Sequence, residues 1–228
     1  MRRDHTPACA ASHRRWSLWL LAWCMCLAAV HAKAQPAEPP VSPAVLQPFV
    51  AAKQTGELQQ LLAVLRRTAQ ENTQEAATAL LYAGLSEPIL VDLAPEQLQQ
   101  VLASAQAALQ QMTERQAKKV AYKATSRHAD WRVRSMLLDL AYTHAPTDQQ
   151  AQTAIVKAIT DSTDAVALKA IDMTGDLRLE RAVPTLMRLV ISKWGQQVGV
   201  GAAKATIALE KITGTTEPEK WHEWVNTH

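Results

Sequence analysis

Cysteine is confined to the first 26 residues of this 228-residue chain, as Cys9, Cys24 and Cys26, and is missing from everything after them. Downstream of that stretch, disulfides, thiol catalysis and cysteine-ligated metals are excluded. Glycine is scarce at seven residues and phenylalanine occurs once, at Phe49. No stretch sustains the alternation of polar and apolar residues that a half-buried strand requires, which argues against a sheet. Nor does the apolar run Leu18 to Val30, 13 residues long, reach the roughly 20 needed to cross a bilayer as a helix.

That run has the features of a secretory signal peptide. A basic segment with Arg2, Arg3, Arg14 and Arg15 against the single acid Asp4 precedes it, and His31-Ala32-Lys33-Ala34 follows. Ala32 and Ala34 supply the small side chains that signal peptidase requires, so cleavage after Ala34 leaves Gln35 as the mature N-terminus. An uncleaved anchor would want a longer run. Lipidation would want a small residue before the cysteine, where Trp23 and Met25 stand, and a twin-arginine signal at Arg14-Arg15 is matched poorly at Ser17. The expected location is the periplasm or the exterior.

Removing residues 1–34 takes away five bases and one acid and turns the formal charge of +3 into −1. The signal for a nucleic-acid partner, a global excess of positive charge, thereby disappears. No cofactor is implied. Residues 35–48 hold five prolines and read as a stiff, solvated linker, with the folded part starting near Val45. The remaining length suffices for a core without staples.

What the folded part does have is helical periodicity. Leu58, Leu61, Leu62 and Leu65 fall at helical spacing, as do Leu98, Val101, Leu102 and Ala105, then Ala117, Val120, Ala121 and Ala124, then Val133, Met136, Leu137 and Leu140. Abundant alanine and glutamine favour helices with small, closely packing faces. The fold class is all-α. Val101, Val133, Val166 and Val198 open similar segments 32, 33 and 32 residues apart, an interval expected of stacked helix pairs.

The stretch Asp161 to Val190, DSTDAVALKAIDMTGDLRLERAVPTLMRLV, resembles a HEAT repeat, with Pro184 where that family's second helix carries an early proline. Asp130-Trp131-Arg132-Val133-Arg134 resembles the opening of another repeat, and Ala208 to Gly214 with Trp221 and Trp224 resembles a last one. The resemblance is clearest over 130–224 and weaker over 95–129. It implies that residues 49–228 form a HEAT-like solenoid, a right-handed α-α superhelix of antiparallel helix pairs whose second helices line a concave, partner-binding face. Tetratricopeptide repeats have a related period but want an aromatic pattern that a single phenylalanine does not supply.

Arg115, Lys119, Lys123 and Arg127 recur every four residues with Lys118 beside them, and at 100° per residue they drift across about 120°, one broad basic face. Arg132 extends it. Such a run is either a solvated face balanced by neighbouring acids or an anion-binding ridge that opposes its own helix by a few tenths of a kcal/mol per like-charged pair. Arg134 fits an inter-repeat ladder of acids and arginines implied by the resemblance, with Asp130 or Asp164 as partner. Trp221 and Trp224 share a helix face and suit a cap on the last repeat.

Chemistry is hard to find. Val198-Gly199-Val200-Gly201 lacks the third glycine of a dinucleotide loop, Lys204 standing there. His128, His144, His222 and His228 show no metal-ligating pair. Asp172 and Asp176, four apart, read as solvated carboxylates, and no GxSxG motif occurs. The expectation is an exported scaffold or adaptor that holds a protein or envelope component, acidic in character, on its concave face without catalysis. The alternatives are binding of anionic lipid or lipopolysaccharide by the ridge, or an accessory HEAT-like lyase.

Overall fold

The computed structural model describes residues 42–192 and 199–227, all within one compact unit, Pro36–His228. The expected signal peptide, most of the linker and Val198 lie outside the described residues. Twelve α-helices make up the fold, and no strand occurs among the described residues. None of these helices is long and apolar enough to cross a membrane.

The first helix, α1 (Pro43–Gln54), begins inside the segment expected to be linker. Proline at the first helical position loses no hydrogen bond, because that N–H has no intrahelical partner anyway. The reason to fold so early is Phe49, which is 2% exposed and packs into the core. Next come α2 (Leu58–Gln70) and α3 (Gln74–Ala79), the latter capped by the Thr73 hydroxyl, which accepts from the Ala76 N–H. α3 runs into a π-helical turn, Leu80–Gly84, every residue of which is buried. A methyl group on Gly84 would stand 2.7 Å from Leu65 Cδ2 and 2.8 Å from Phe49 Cε1, so α1 and α2 close on this turn only because the side chain is missing.

The short α4 (Glu87–Leu90) precedes α5 (Pro95–Gln111), α6 (Arg115–Ala124), α7 (Trp131–His144), α8 (Gln149–Ala158) and α9 (Asp164–Asp176). A 3-10 turn, Glu180–Ala182, leads into α10 (Val183–Ser192), and α11 (Val200–Thr213) and α12 (Pro218–Thr227) follow. Gly199 precedes α11 as its N-cap, and Gly214 ends that helix in the left-handed conformation, φ 76°.

Helices pack on partners two or three places along the chain as well as on their immediate neighbours. α5 lies on α2, α7 on α5, α9 on α7 and α11 on α9, while α6 lies on α3 and α8 on α6. The repeating valines Val101, Val133 and Val166 are fully buried on α5, α7 and α9, three consecutive members of the first row. Small residues let the rows approach: a Cβ on Gly175 of α9 would come within 3.0 Å of the Ala208 backbone on α11. Two apolar clusters result, one running from Phe49 to Leu140 and the other from Tyr122 to Trp221. Both draw on α6 and α7. At the far end Trp221 is buried, its indole N–H donating to Thr215 O at 2.8 Å, and Trp224 packs half-buried beside it.

Buried polar groups fasten consecutive units. Arg134 is 1% exposed, and all five guanidinium donors are used. Nε and Nη2 fork onto Asp161, both at 2.8 Å, Nη1 reaches His128 O and Ala129 O at 2.7 and 2.9 Å, and Nη2 also reaches Thr163 Oγ1 at 3.0 Å. The partner is thus Asp161 in the turn before α9, which corrects the expectation of Asp130 or Asp164. Asp130 is occupied as the N-cap of α7, and Asp164 is an exposed first-turn residue of α9. His128 is buried too, with Nε2 3.0 Å from Leu81 O and Nδ1 accepting from the Asp130 N–H at 3.1 Å. Those two bonds fix the neutral tautomer with its proton on Nε2.

Candidate anion-binding face

Charge is arranged differently on the later helices of the two rows, α7, α9 and α11 in the first and α6 and α8 in the second. On the first row, lysines meet aspartates across helix gaps: Lys169 of α9 reaches Asp139 of α7 at 2.7 Å, and from α11 Lys204 reaches Asp172 at 2.5 Å and Lys211 reaches Asp176 at 2.7 Å. Asp172 and Asp176, expected to be merely solvated, are therefore rungs of a ladder. Each rung is half exposed and contributes little individually. Its value here is contrast.

Outside that row, α6 reads RQAKKVAYKA, α8 reads QQAQTAIVKA and α10 reads VPTLMRLVIS, and none contains an acid. Among the described residues Arg115, Lys118, Lys119, Lys123 and Arg127 take part in no ion pair, and neither does Lys157 of α8. Two acids do stand at the helix starts, but both are committed. Glu114 Oε2 accepts from the Ala117 N–H at 2.6 Å. Asp148 Oδ1 accepts from the Gln150 and Ala151 N–H groups, and Oδ2 accepts from the Tyr122 hydroxyl at 3.1 Å.

The expected ridge is divided by the fold. Lys119, Lys123 and Arg127 line a hollow of about 370 Å³ between α6 and α8, joined there by Lys157. The Tyr122 ring and Ala154 give it an apolar wall, and Ser126, Gln150 and Thr153 add uncharged polar groups. Thr153 Oγ1 also accepts from Arg181 Nη1 at 3.1 Å, which brings a further guanidinium to the hollow's edge from the turn before α10.

The other three expected residues go elsewhere. Arg115 is the exposed first residue of α6, and Lys118 lies near enough to His144 to help lower its pKa. Arg132 forks back onto Asp130, so its charge is matched locally and it adds little to the patch. Burial alone would raise the Asp130 carboxyl, but the hydrogen bonds and charge of Arg132 hold it below its usual value. Lys157 was not singled out from the sequence, although a signal existed: RQAKKVAYKA and QQAQTAIVKA align at an offset of 34 residues, setting Lys123 over Lys157.

Behind the hollow Tyr122 joins α6 to the end of α7. Its oxygen lies 2.8 Å from His144 Nδ1, and its only proton goes to Asp148. For both contacts to be hydrogen bonds His144 must donate from Nδ1, which fixes that tautomer. Burial and the adjoining Asp148 carboxylate raise the Tyr122 pKa far above the ordinary value, so the phenol stays protonated. Burial and the Lys118 charge lower the His144 pKa, with Asp148 opposing. The described residues contain no cluster of three or more His, Cys, Asp or Glu side chains able to hold a metal ion.

Compared with protein-family models the chain matches none. No curated protein sequence matches it either.

Proposed function

We propose that this protein is an exported, non-catalytic adaptor of the HEAT type that holds an acidic protein or envelope component against the face formed by α6, α8 and the start of α10. In this reading residues 1–34 are cut off after Ala34, the mature chain resides in the periplasm, and the helix pairs build a right-handed superhelix with the second helices on its concave side. The packing of helices on partners two or three places along the chain and the Arg134 clamp support the superhelix. One observation carries the binding role: the lysines of α9 and α11 on the first row each face an aspartate, while α6, α8 and α10 carry bases and no acid. Unpaired like charge opposes folding, so its concentration on one face calls for a partner that neutralises it.

The test is recovery of partners from an envelope extract by the wild-type chain and by Lys119→Glu/Lys123→Glu. A partner held by this face is lost from the variant, and addition of salt weakens its capture by the wild type. An unchanged set of partners with both chains rejects the reading.

A further inference from the structure

We infer that the hollow between α6 and α8 is a pocket for a phosphoryl group, a phosphate monoester or diphosphate. The inference rests on the proposed role of this face and names the chemistry that the face recognises. Four cations, Lys119, Lys123, Arg127 and Lys157, converge on about 370 Å³ with no acid among the lining residues. That volume lies at the lower end of small-ligand pockets, roughly 300–1,000 Å³, and suits a compact group rather than a helix or a folded surface.

Charge decides between the anions that would fit. A single carboxylate brings one negative charge and leaves three of the four cations unmatched. A phosphate monoester brings about −1.5 to −2 and three strong acceptor oxygens, and a diphosphate brings more. Lysine ammoniums on flexible stems, an arginine fork, and the uncharged donors of Ser126 and Gln150 can together surround a tetrahedral anion. Asp148, the nearest acid by sequence to Gln150, does not compete, because its two oxygens are taken up by Tyr122 and by the start of α8.

The site is also held in shape. Tyr122, which forms its wall, is tied to both His144 and Asp148, so α6 and α8 cannot separate without breaking that relay. A phosphoryl group could come from a soluble phosphorylated molecule or from a lipid headgroup. The chemistry at the pocket is the same for both.

Calorimetric titration of the full chain with inorganic diphosphate at low ionic strength tests the pocket. Saturable one-to-one binding is expected, weakened at least tenfold in Lys123→Ala/Lys157→Ala and changed less than twofold in Arg115→Ala, which removes a base outside the hollow. Succinate, with two carboxylates, should bind more weakly than diphosphate. Both lysines are exposed, so the double variant should keep the wild-type melting temperature, and equal melting confirms that lost binding is not lost folding.

Sedimentation with phosphatidylcholine vesicles containing phosphatidic acid separates the sources. Retention that diphosphate competes away indicates a headgroup, and diphosphate binding without retention indicates a soluble ligand. Absence of saturable diphosphate binding, or equal affinity in the wild type and the double variant, overturns the proposal. If diphosphate binds as expected while Lys119→Glu/Lys123→Glu still captures every partner, only the adaptor reading fails. Partner loss from that variant without any diphosphate binding has the opposite meaning.

Discussion

Replacing Arg134 with methionine keeps an unbranched apolar stem but removes the guanidinium, and leaves the Asp161 carboxylate with no counter-charge in a site where its side chain is 5% exposed. Breaking a buried ion pair in this way costs about 3–5 kcal/mol, chiefly the desolvation of the abandoned charge. Two backbone carbonyls, His128 O and Ala129 O, lose the Arg134 donor at the same time. For a domain of this size each kcal/mol lowers the melting temperature by about 2–4 °C, so Arg134→Met should melt about 6–20 °C below the wild type. Arg134→Lys keeps the charge but offers three donors for five acceptors, so it should fall between them. The double variant Arg134→Met/Asp161→Leu removes both charges and should be less destabilised than the sum of the singles by about 0.5–3 kcal/mol. Thermal and urea melts followed by circular dichroism provide the assay. A loss below about 1 kcal/mol in Arg134→Met would refute the view that this clamp holds consecutive units together.

Gly84→Ala places a methyl against Leu65 and Phe49, both buried, and should cost about 1–3 kcal/mol in the same melts; an unchanged midpoint would mean that the π turn can shift. His144 has its folded pKa below the unfolded value of about 6.5, so the stability it confers is complete above that pH and is lost as pH falls toward the folded value. The wild type should therefore lose stability as pH falls below about 6.5, and His144→Asn should flatten that part of the profile; an equally steep variant points to other groups. Mass spectrometry of the chain recovered from an exporting host should show a polypeptide beginning at Gln35. A mass that starts at Met1 would end the cleavage reading.

The fold class was legible because helical spacing is a local property, and each stripe of Leu, Val or Ala reports its own buried face. The interval between Val101, Val133 and Val166 was equally visible, and all three valines are buried, on α5, α7 and α9. The partner of Arg134 was not. Asp130, Asp161 and Asp164 all lie within reach by sequence, and only the turns decide that Asp130 caps α7 while Asp161 points inward. The folded part was expected to start near Val45, two residues from the observed Pro43; only the linker bound at residue 48 ran too far, because five prolines outweigh one phenylalanine in composition, whereas in the structure Phe49 is the anchor and Pro43 costs nothing. The basic run on α6 was plain, but its division was hidden. Whether Lys123 joins Lys157 depends on which helix lies alongside, and a charge pattern along one helix carries no information about its neighbour; the turning back of Arg132 onto Asp130 is local, set by the N-cap geometry of α7.

The sharing of α6 and α7 by both apolar clusters has a consequence for how the molecule breathes. α11 and α12 can detach by giving up only the second cluster, and α1 and α2 by giving up only the first. Releasing α6 or α7 undoes both. Openings of a stacked helical chain start where the fewest neighbours must be surrendered, so they begin at the two ends and move inward. The most slowly exchanging amide hydrogens should then lie mid-chain, in α6 and α7, and because α6 forms one wall of the anion hollow a ligand seated there would bind a part of the protein that is last to open.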